Sequence, residues 1–111
     1  MSVMIDYKAL DENYWRDAKD NALTIFKTDK LEIGILEISP GVRLPREGYS
    51  IHTENDEFAY ILSGEVTFST DKESIKLKDG MMMYNRKGTP HYTVNLSDKP
   101  ARVLWILSPP R

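Results

Sequence analysis

The chain contains two histidines, His52 and His91, each in a segment rich in turn-forming residues. Glu57 follows His52 by five residues and opens an apolar run. Two neutral imidazoles and a carboxylate are a donor set that suits one divalent transition-metal ion. Fe, Mn, Ni, Co, Cu or Zn fit this set better than Mg or Ca, which prefer oxygen ligands. The residue types therefore predict a metal site formed by His52, Glu57 and His91.

The segment around the first histidine must bend if both of its candidate ligands are to point inward. His52 and Glu57 are an odd number of positions apart, so on one regular strand they would face opposite sides. Asn55-Asp56 is typical turn chemistry and is the expected place for the bend. With Glu57 facing the interior, alternation predicts that Ala59 and Ile61 share its face and line a substrate pocket. The opposite face then carries Phe58, Tyr60 and Leu62.

The second histidine follows a glycine turn. His91 comes three residues after Gly88, so a tight turn can place it at the start of a strand. Thr93 and Asn95 would then share its face and are predicted pocket residues. Arg86 lies in the same loop and is the best candidate among the arginines to meet an anionic substrate at the pocket mouth.

Turn signals divide the rest of the chain into short strand candidates. These span residues 23–27, 31–38, 57–62, 66–69, 75–77, 81–84, 91–96 and 102–107. Ser63-Gly64 predicts a hairpin that joins the third and fourth candidates. Within residues 31–38 the alternation changes parity at Leu36, which indicates either a bulge or burial on both faces. Many short strands without a long helix predict an all-β sandwich or barrel.

The N-terminal region reads differently from the rest. Residues 3–7 favour a short strand, and apolar residues recur every four positions over residues 10–22, which suits one short helix. The expected organisation is a single domain over residues 1–111, with an N-terminal arm at 1–22 and the barrel at 23–108.

Bulk composition excludes several classes of function. The chain has 111 residues, a net charge of −2 and no cysteine. Thiolate chemistry and disulfides are therefore excluded, and nothing attracts the chain to nucleic acid or to an anionic membrane. Without an apolar signal segment, the expected location is the cytoplasm.

The spacing of these residues resembles the two motifs of the cupin superfamily. Glu57 and Gly64 keep the spacing of the first motif's glutamate and final glycine, and His52 falls on its second histidine. The places of the second motif are taken by Gly80, Gly88, His91 and Asn95. Residues 55–66 and 101–110 are also similar to the cupin halves of bacterial helix-turn-helix regulators. The resemblance implies a double-stranded β-helix, or jelly-roll barrel, with a metal role for His52, Glu57 and His91.

Two positions depart from the motifs. Ser50 stands where the first motif has its first histidine, and a hydroxyl is a far weaker ligand than an imidazole. Arg86 stands where the second motif has a proline. Glu54 is close enough in sequence to His52 to substitute as a ligand, although no motif position supports it. Ser50, Glu54 and Arg86 are therefore predicted to line the pocket.

Two functions stay open at this point. In the first, the protein is a small metal-dependent enzyme, such as an oxygenase, isomerase or lyase, acting on a small polar molecule. In the second, it is a sensor or binding module that encloses a small ligand without metal. A homodimer is expected in either case, because the strand-like arm, the row at Phe58, Tyr60 and Leu62, and Trp105 offer surfaces to a second copy.

Overall fold

The computed structural model describes residues 4–111, which form one short helix and nine strands. The helix α1 spans Glu12–Asp17. The strands are β1 (Leu23–Lys27), β2 (Glu32–Ile38), β3 (Arg43–Leu44), β4 (Asp56–Ser63), β5 (Glu65–Thr70), β6 (Ser74–Lys78), β7 (Met82–Asn85), β8 (His91–Val94) and β9 (Ala101–Ser108). Within this range no helix has the length and apolar character needed to cross a membrane.

The strands form two antiparallel sheets that pack face to face. One sheet has five strands in the order β1-β2-β9-β4-β7, and the other has four in the order β3-β8-β5-β6. Strands that are distant in sequence, such as β2 and β9, pair along their whole length. This arrangement confirms the predicted all-β jelly-roll barrel. Strand β3, which lies outside the strand candidates of the sequence, pairs with β8.

Alternation along the strands separates an inner core from an outer one. The inner core lies between the sheets and includes Ile38, Ile61 and Val103. The outer core lies beneath α1, where Trp15 packs with Ile35. Strand β2 contributes to both cores, so its change of parity reflects burial on both faces. The predicted bulge at this strand was the wrong alternative, because the register shift lies in β1, between Thr24 and Phe26.

The predicted hairpin at Ser63-Gly64 is wrong. Strand β4 pairs with β7 and β9, whereas β5 pairs with β6 and β8, so the chain crosses from one sheet to the other at this turn. Gly64 has a φ of 88°, and a Cβ there would lie 2.8 Å from the Cα of Ala101. Glycine is required here by both the backbone conformation and the close approach. A local turn signal cannot distinguish this corner from a hairpin.

The N-terminal predictions were partly wrong. Val3, the first residue of the predicted strand, lies outside the described residues, and Met4 to Tyr7 are exposed and not in a strand. The helix is shorter than predicted. It begins after Asp11, whose carboxylate accepts hydrogen bonds from two helix amides, and it cannot continue through Asp20, where φ is 53°.

Candidate metal centre

Three elements bring the predicted ligands together at one end of the space between the sheets. His52 lies in the loop before β4, Glu57 is the second residue of β4, and His91 is the first residue of β8. One ligand atom from each residue lies within 4.8 Å of the others. His91 Nε2 lies 3.4 Å from Glu57 Oε1. The rings of His52 and His91 are 5.2 Å apart.

Backbone hydrogen bonds hold the loop that carries His52 against the loop and strand that carry His91. The amide of Ser50 donates to the carbonyl of His91 at 2.8 Å, and the amide of His91 donates back at 2.9 Å. The amide of Gly88 donates to the carbonyl of His52 at 2.8 Å. The chain then turns before β4 begins at Asp56. The chain bends at Thr53 and Glu54, directly before the predicted Asn55-Asp56, and contacts with a distant segment fix the position of this loop.

The ring of His91 is oriented by its other nitrogen. Nδ1 lies 2.9 Å from the carbonyl oxygen of Thr89, which can only accept, so this contact favours a proton on Nδ1. The lone pair on Nε2 then points toward Glu57. The buried amide of Asn85 has its Nδ2 atom 3.1 Å from His91 Nδ1 and 3.5 Å from Glu57 Oε1. The side-chain amide of Asn85 therefore contacts both candidate ligands, His91 and Glu57.

Burial favours the neutral form of the first histidine. The pKa of His52 lies below its ordinary value of 6.5, chiefly because burial disfavours the charged imidazolium. Glu57 opposes this by raising the pKa, whereas His91 and the cation of Arg111 lower it further. A neutral imidazole is the form that binds a metal ion.

The donor atoms fit a metal ion in both chemistry and spacing. Two ligand atoms bound at about 2.1 Å to one ion lie roughly 3.0–3.4 Å apart. The 3.4 Å separation of His91 Nε2 and Glu57 Oε1 lies within that range. His52 is half-buried, so a change in its side-chain torsions can close the remaining gap.

His52, Glu57 and His91 line a cavity of about 340 Å³ between the two sheets. Most of its lining is apolar, and its polar side chains are those of Asp20, Asn21, Ser50, His52, Glu57, His91, Thr93 and Arg111. Ser50, Ala59, Ile61 and Thr93, four of the residues proposed from the sequence, are among its lining residues.

Three predicted pocket residues lie elsewhere. Glu54 is exposed on the loop before β4 and is not among the cavity residues. Arg86 lies over the ring of Tyr84, 5.1 Å from its centroid, and borders a separate cleft. Asn95 is fully buried just beyond β8, where its Nδ2 donates to the carbonyls of Ile38 and Lys99. Asn95 therefore connects loops through its side chain. It does not reach the cavity, because β8 ends one residue earlier and the strand alternation does not extend to position 95.

Three residues in or beside the cavity were not predicted from the sequence. Trp105 lies on its wall, 6% exposed, with its ring against Gly34. A Cβ on Gly34 would come within 2.2 Å of that ring, so only glycine leaves room for it. Arg111 reaches the cavity from beyond β9, and no pattern in the sequence indicates this. The third residue, Glu32, is buried and binds Arg111. Alternation along β2 places Glu32 on the same face as Gly34 and Leu36, and this was the sequence signal that the Glu32 side chain points into the barrel.

Comparisons with known proteins agree with this architecture. The family model described as "Cupin domain" matches residues 34–107. Tetracenomycin polyketide synthase protein TcmJ of Streptomyces glaucescens is 27% identical over 77 residues, which are 69% of this chain and 50% of that protein. An uncharacterised protein of Methanocaldococcus jannaschii is 32% identical over 59 residues, 53% of this chain and 47% of that protein. The chain spans about half the length of these curated relatives.

A crystal structure of a protein from Thermus thermophilus superimposes on this chain with a TM-score of 0.80 and 24% identity. The match covers 96% of this chain and all of the other. At this level of identity the likeness is one of fold.

Proposed function

The chain belongs to the cupin domain family, and from that premise we propose that it binds one divalent transition-metal ion and acts as a metal-dependent enzyme on a small molecule. His52, Glu57 and His91 would hold the ion. The observation that carries this proposal is the convergence of two imidazole nitrogens and a carboxylate oxygen within 4.8 Å of one another.

The charge balance at the three residues supports a bound cation. The ion pairs of residues 4–111 give Glu57 no lysine or arginine partner. Its side chain is only 19% exposed, and its neighbour His91 has its Nδ1 occupied by the Thr89 carbonyl. A partly buried carboxylate beside two imidazoles, with no basic side chain paired to it, is a place where a divalent ion would compensate charge.

The donor set limits which ions are expected. Two imidazoles and one carboxylate favour Fe, Mn, Ni, Co, Cu or Zn. When bound, such an ion polarises a substrate oxygen or lowers the pKa of a bound water. The protein's own contribution is to orient the ligands through Asn85 and Thr89 and to surround the reacting group with apolar walls that exclude water.

A second candidate is a metal-free binding module, and one observation favours it. Ser50 lines the cavity at the place where the family motif has a histidine, which leaves three side chains in place of four. A family member with an incomplete ligand set can keep the barrel and use the cavity only to enclose a small molecule.

Metal analysis of purified protein separates the two functions. Protein incubated with Fe, Mn, Ni, Co, Cu or Zn and then desalted should retain one equivalent of at least one of these ions. Exposed Glu54 supplies the matched control, because Glu54→Ala should leave the stoichiometry unchanged. Retention of none of the ions by the wild-type protein would contradict the enzyme and favour the metal-free module.

We also propose a single domain over residues 1–111, with an arm at 1–22, that forms a homodimer through the outer face of the five-stranded sheet. Phe58 and Tyr84 stack there with ring centroids 4.9 Å apart, and Leu62 and Met82 are exposed beside them. Trp105 cannot contribute, because it is buried inside the barrel. Light scattering should give a dimer mass that Met82→Glu lowers to a monomer mass. A monomer mass for the wild type would refute this assembly.

A further inference from the structure

Four inward-facing residues form one row across the five-stranded sheet. Glu32 pairs with Leu107, Leu107 pairs with Glu57, and Glu57 pairs with Asn85. Adjacent strands are about 4.8 Å apart, so the backbones of Glu32 and Glu57 lie roughly 10 Å from each other. The row therefore contains two carboxylates at the same depth in the barrel, one at the candidate metal centre and one two strands away.

Arg111 is held beside the second of these carboxylates. Its Nη2 lies 3.2 Å from Glu32 Oε2, its Nε lies 3.4 Å from Glu32 Oε1, and its backbone amide donates to Oε1 at 3.1 Å. Thr24 donates a further hydrogen bond to Oε2. The guanidinium carbon lies 5.3 Å from the ring centroid of Trp105. These contacts fix the guanidinium in one place on the cavity wall.

One end of the guanidinium stays available. Among residues 4–111, the hydrogen bonds of Arg111 use its backbone amide, Nε and Nη2, and none uses Nη1. Its side chain is 46% exposed although the carboxylate that holds it is 4% exposed. Arg111 lines the same cavity as His52, Glu57 and His91. A cation thus faces the space next to the candidate metal centre.

We propose that Arg111 binds the carboxylate of a small organic acid whose other end reaches His52, Glu57 and His91. This inference rests on the proposed function, because it names the class of substrate for the same cavity. Glu32 and Thr24 act as positioning residues, since they orient the guanidinium without touching the acid. Trp105 forms the apolar wall beneath the bound acid.

Several features favour a carboxylate over a phosphate. A single guanidinium, already paired on one side with Glu32, offers few donors to an anion. Phosphate has three strong acceptor oxygens and more negative charge, so it favours sites with several cations or free backbone amides. Most of the cavity wall is apolar, which suits an acid with a short hydrocarbon body.

The competing explanation is that Arg111 only neutralises buried Glu32. The two explanations differ in a measurable way. A structural ion pair affects unfolding and leaves the preference between an acid and its amide unchanged. A binding residue sets that preference, because an amide of the same shape lacks the charge.

The test uses two matched pairs of probes, butanoate with butanamide and succinate with succinamide. Each is titrated into Co²⁺-treated protein while the guanidinium resonances of Arg111 are followed by nitrogen-detected NMR. At least one acid should shift these resonances, and its amide should not. Arg111→Gln should weaken binding of that acid at least tenfold, and Arg86→Gln, which removes the same charge at the separate cleft, should not.

A second variant distinguishes loss of acid binding from loss of folding. In the double variant Glu32→Gln/Arg111→Gln no buried carboxylate is left unpaired, and it should show the same loss of acid binding. The inference is overturned if no acid shifts the Arg111 resonances, if either variant keeps wild-type affinity, or if inorganic phosphate binds at Arg111 more tightly than both acids.

Metal content measured on the same samples distinguishes failure of the Arg111 proposal from failure of the proposed metal-dependent function. One equivalent of Co²⁺ without acid binding at Arg111 would contradict the inference alone. Acid binding at Arg111 in protein that retains no metal would contradict the proposed enzyme and leave Arg111 as the recognition residue of a binding module.

Discussion

Glu57 and Glu32 are the same residue type, point into the same barrel and lie in one row of one sheet, yet their surroundings differ. Glu32 accepts hydrogen bonds from Thr24 and from three nitrogen atoms of Arg111. Within residues 4–111 the nearest polar atoms to Glu57 Oε1 given by its ion pair and hydrogen bond are His91 Nε2 at 3.4 Å and Asn85 Nδ2 at 3.5 Å. The side chain of Glu32 is 4% exposed, and that of Glu57 is 19% exposed and faces the cavity.

Because the two carboxylates share one row of the sheet, strand position does not explain their difference, and their partners do. Burial alone would raise the pKa of Glu32, but hydrogen bonds from Arg111 and Thr24 outweigh it and lower the pKa to about 2. Its charge is fully compensated within the protein. Among the ion pairs of residues 4–111, Glu57 has no lysine or arginine partner, which leaves its charge for the metal ion that the proposed function requires.

Removal of a predicted metal ligand should have the largest effect. His52→Ala, Glu57→Ala and His91→Ala should each reduce metal affinity by at least about 100-fold, because a three-ligand site loses a third of its donors. Elemental analysis after desalting measures this directly. If all three variants retained one equivalent of metal, Glu57 would not be a metal ligand, and its proposed difference in role from Glu32 would be contradicted.

Ser50→His should sharpen the distinction by adding a third imidazole. The backbone of Ser50 is hydrogen-bonded to that of His91, and its side chain lines the cavity, so the new imidazole would be directed toward the ion. We expect metal affinity to rise roughly 10- to 100-fold. Competition with a chelator measures the change, and Ser63→His, at the exposed end of β4, is the control. Unchanged affinity would mean that position 50 does not direct a side chain at the site.

Glu32→Gln should reduce stability without changing metal content. Loss of the charged acceptor weakens several hydrogen bonds to Arg111, and hydrogen bonds to charged groups contribute about 1.5–3 kcal/mol. Urea denaturation measures the free energy of unfolding. Glu12→Gln, which alters an exposed ion pair with Arg102, should have little effect on it. A loss of metal in Glu32→Gln would show that the two carboxylates are not independent.

Asn85→Ala should weaken metal binding moderately. The amide contacts both His91 and Glu57, and partners behind metal ligands typically contribute about 10- to 100-fold in affinity. We expect a loss near the lower limit, about tenfold, because Thr89 still contacts His91 Nδ1. Isothermal titration with Zn²⁺ measures it. Wild-type affinity in this variant would show that Thr89 alone orients the ring.

Acid should cause the smallest of these effects. The pKa of Glu32 is about 2 in the folded protein, below its ordinary value of 4.5. Its contribution to stability is therefore complete above pH 4.5 and is lost progressively as the pH falls from 4.5 toward 2. The melting temperatures of wild type and Glu32→Gln should differ by a few degrees near neutral pH and converge in this window. A difference that is constant with pH would contradict the lowered pKa.

Much of the fold and part of the candidate site could be predicted from local patterns. The boundaries of β1 match residue for residue, and alternation placed Ala59 and Ile61 on the face of Glu57. These predictions succeeded because strand alternation and turn preferences are properties of a few consecutive residues. The same alternation failed for Asn95, since β8 ends one residue earlier, at Val94.

The sequence by itself determined the donor chemistry, the strand pattern and the faces of the strands. Only the tertiary structure decided that Ser63-Gly64 joins two different sheets, that Glu32 and Glu57 share a row, and that Arg111 reaches the cavity. Each of these depends on which strands pair, and pairing of β2 or β4 with β9 links residues far apart in the chain. Local preferences carry no information about such partners, because the hydrogen bonds and the burial that select them form only when the whole barrel closes.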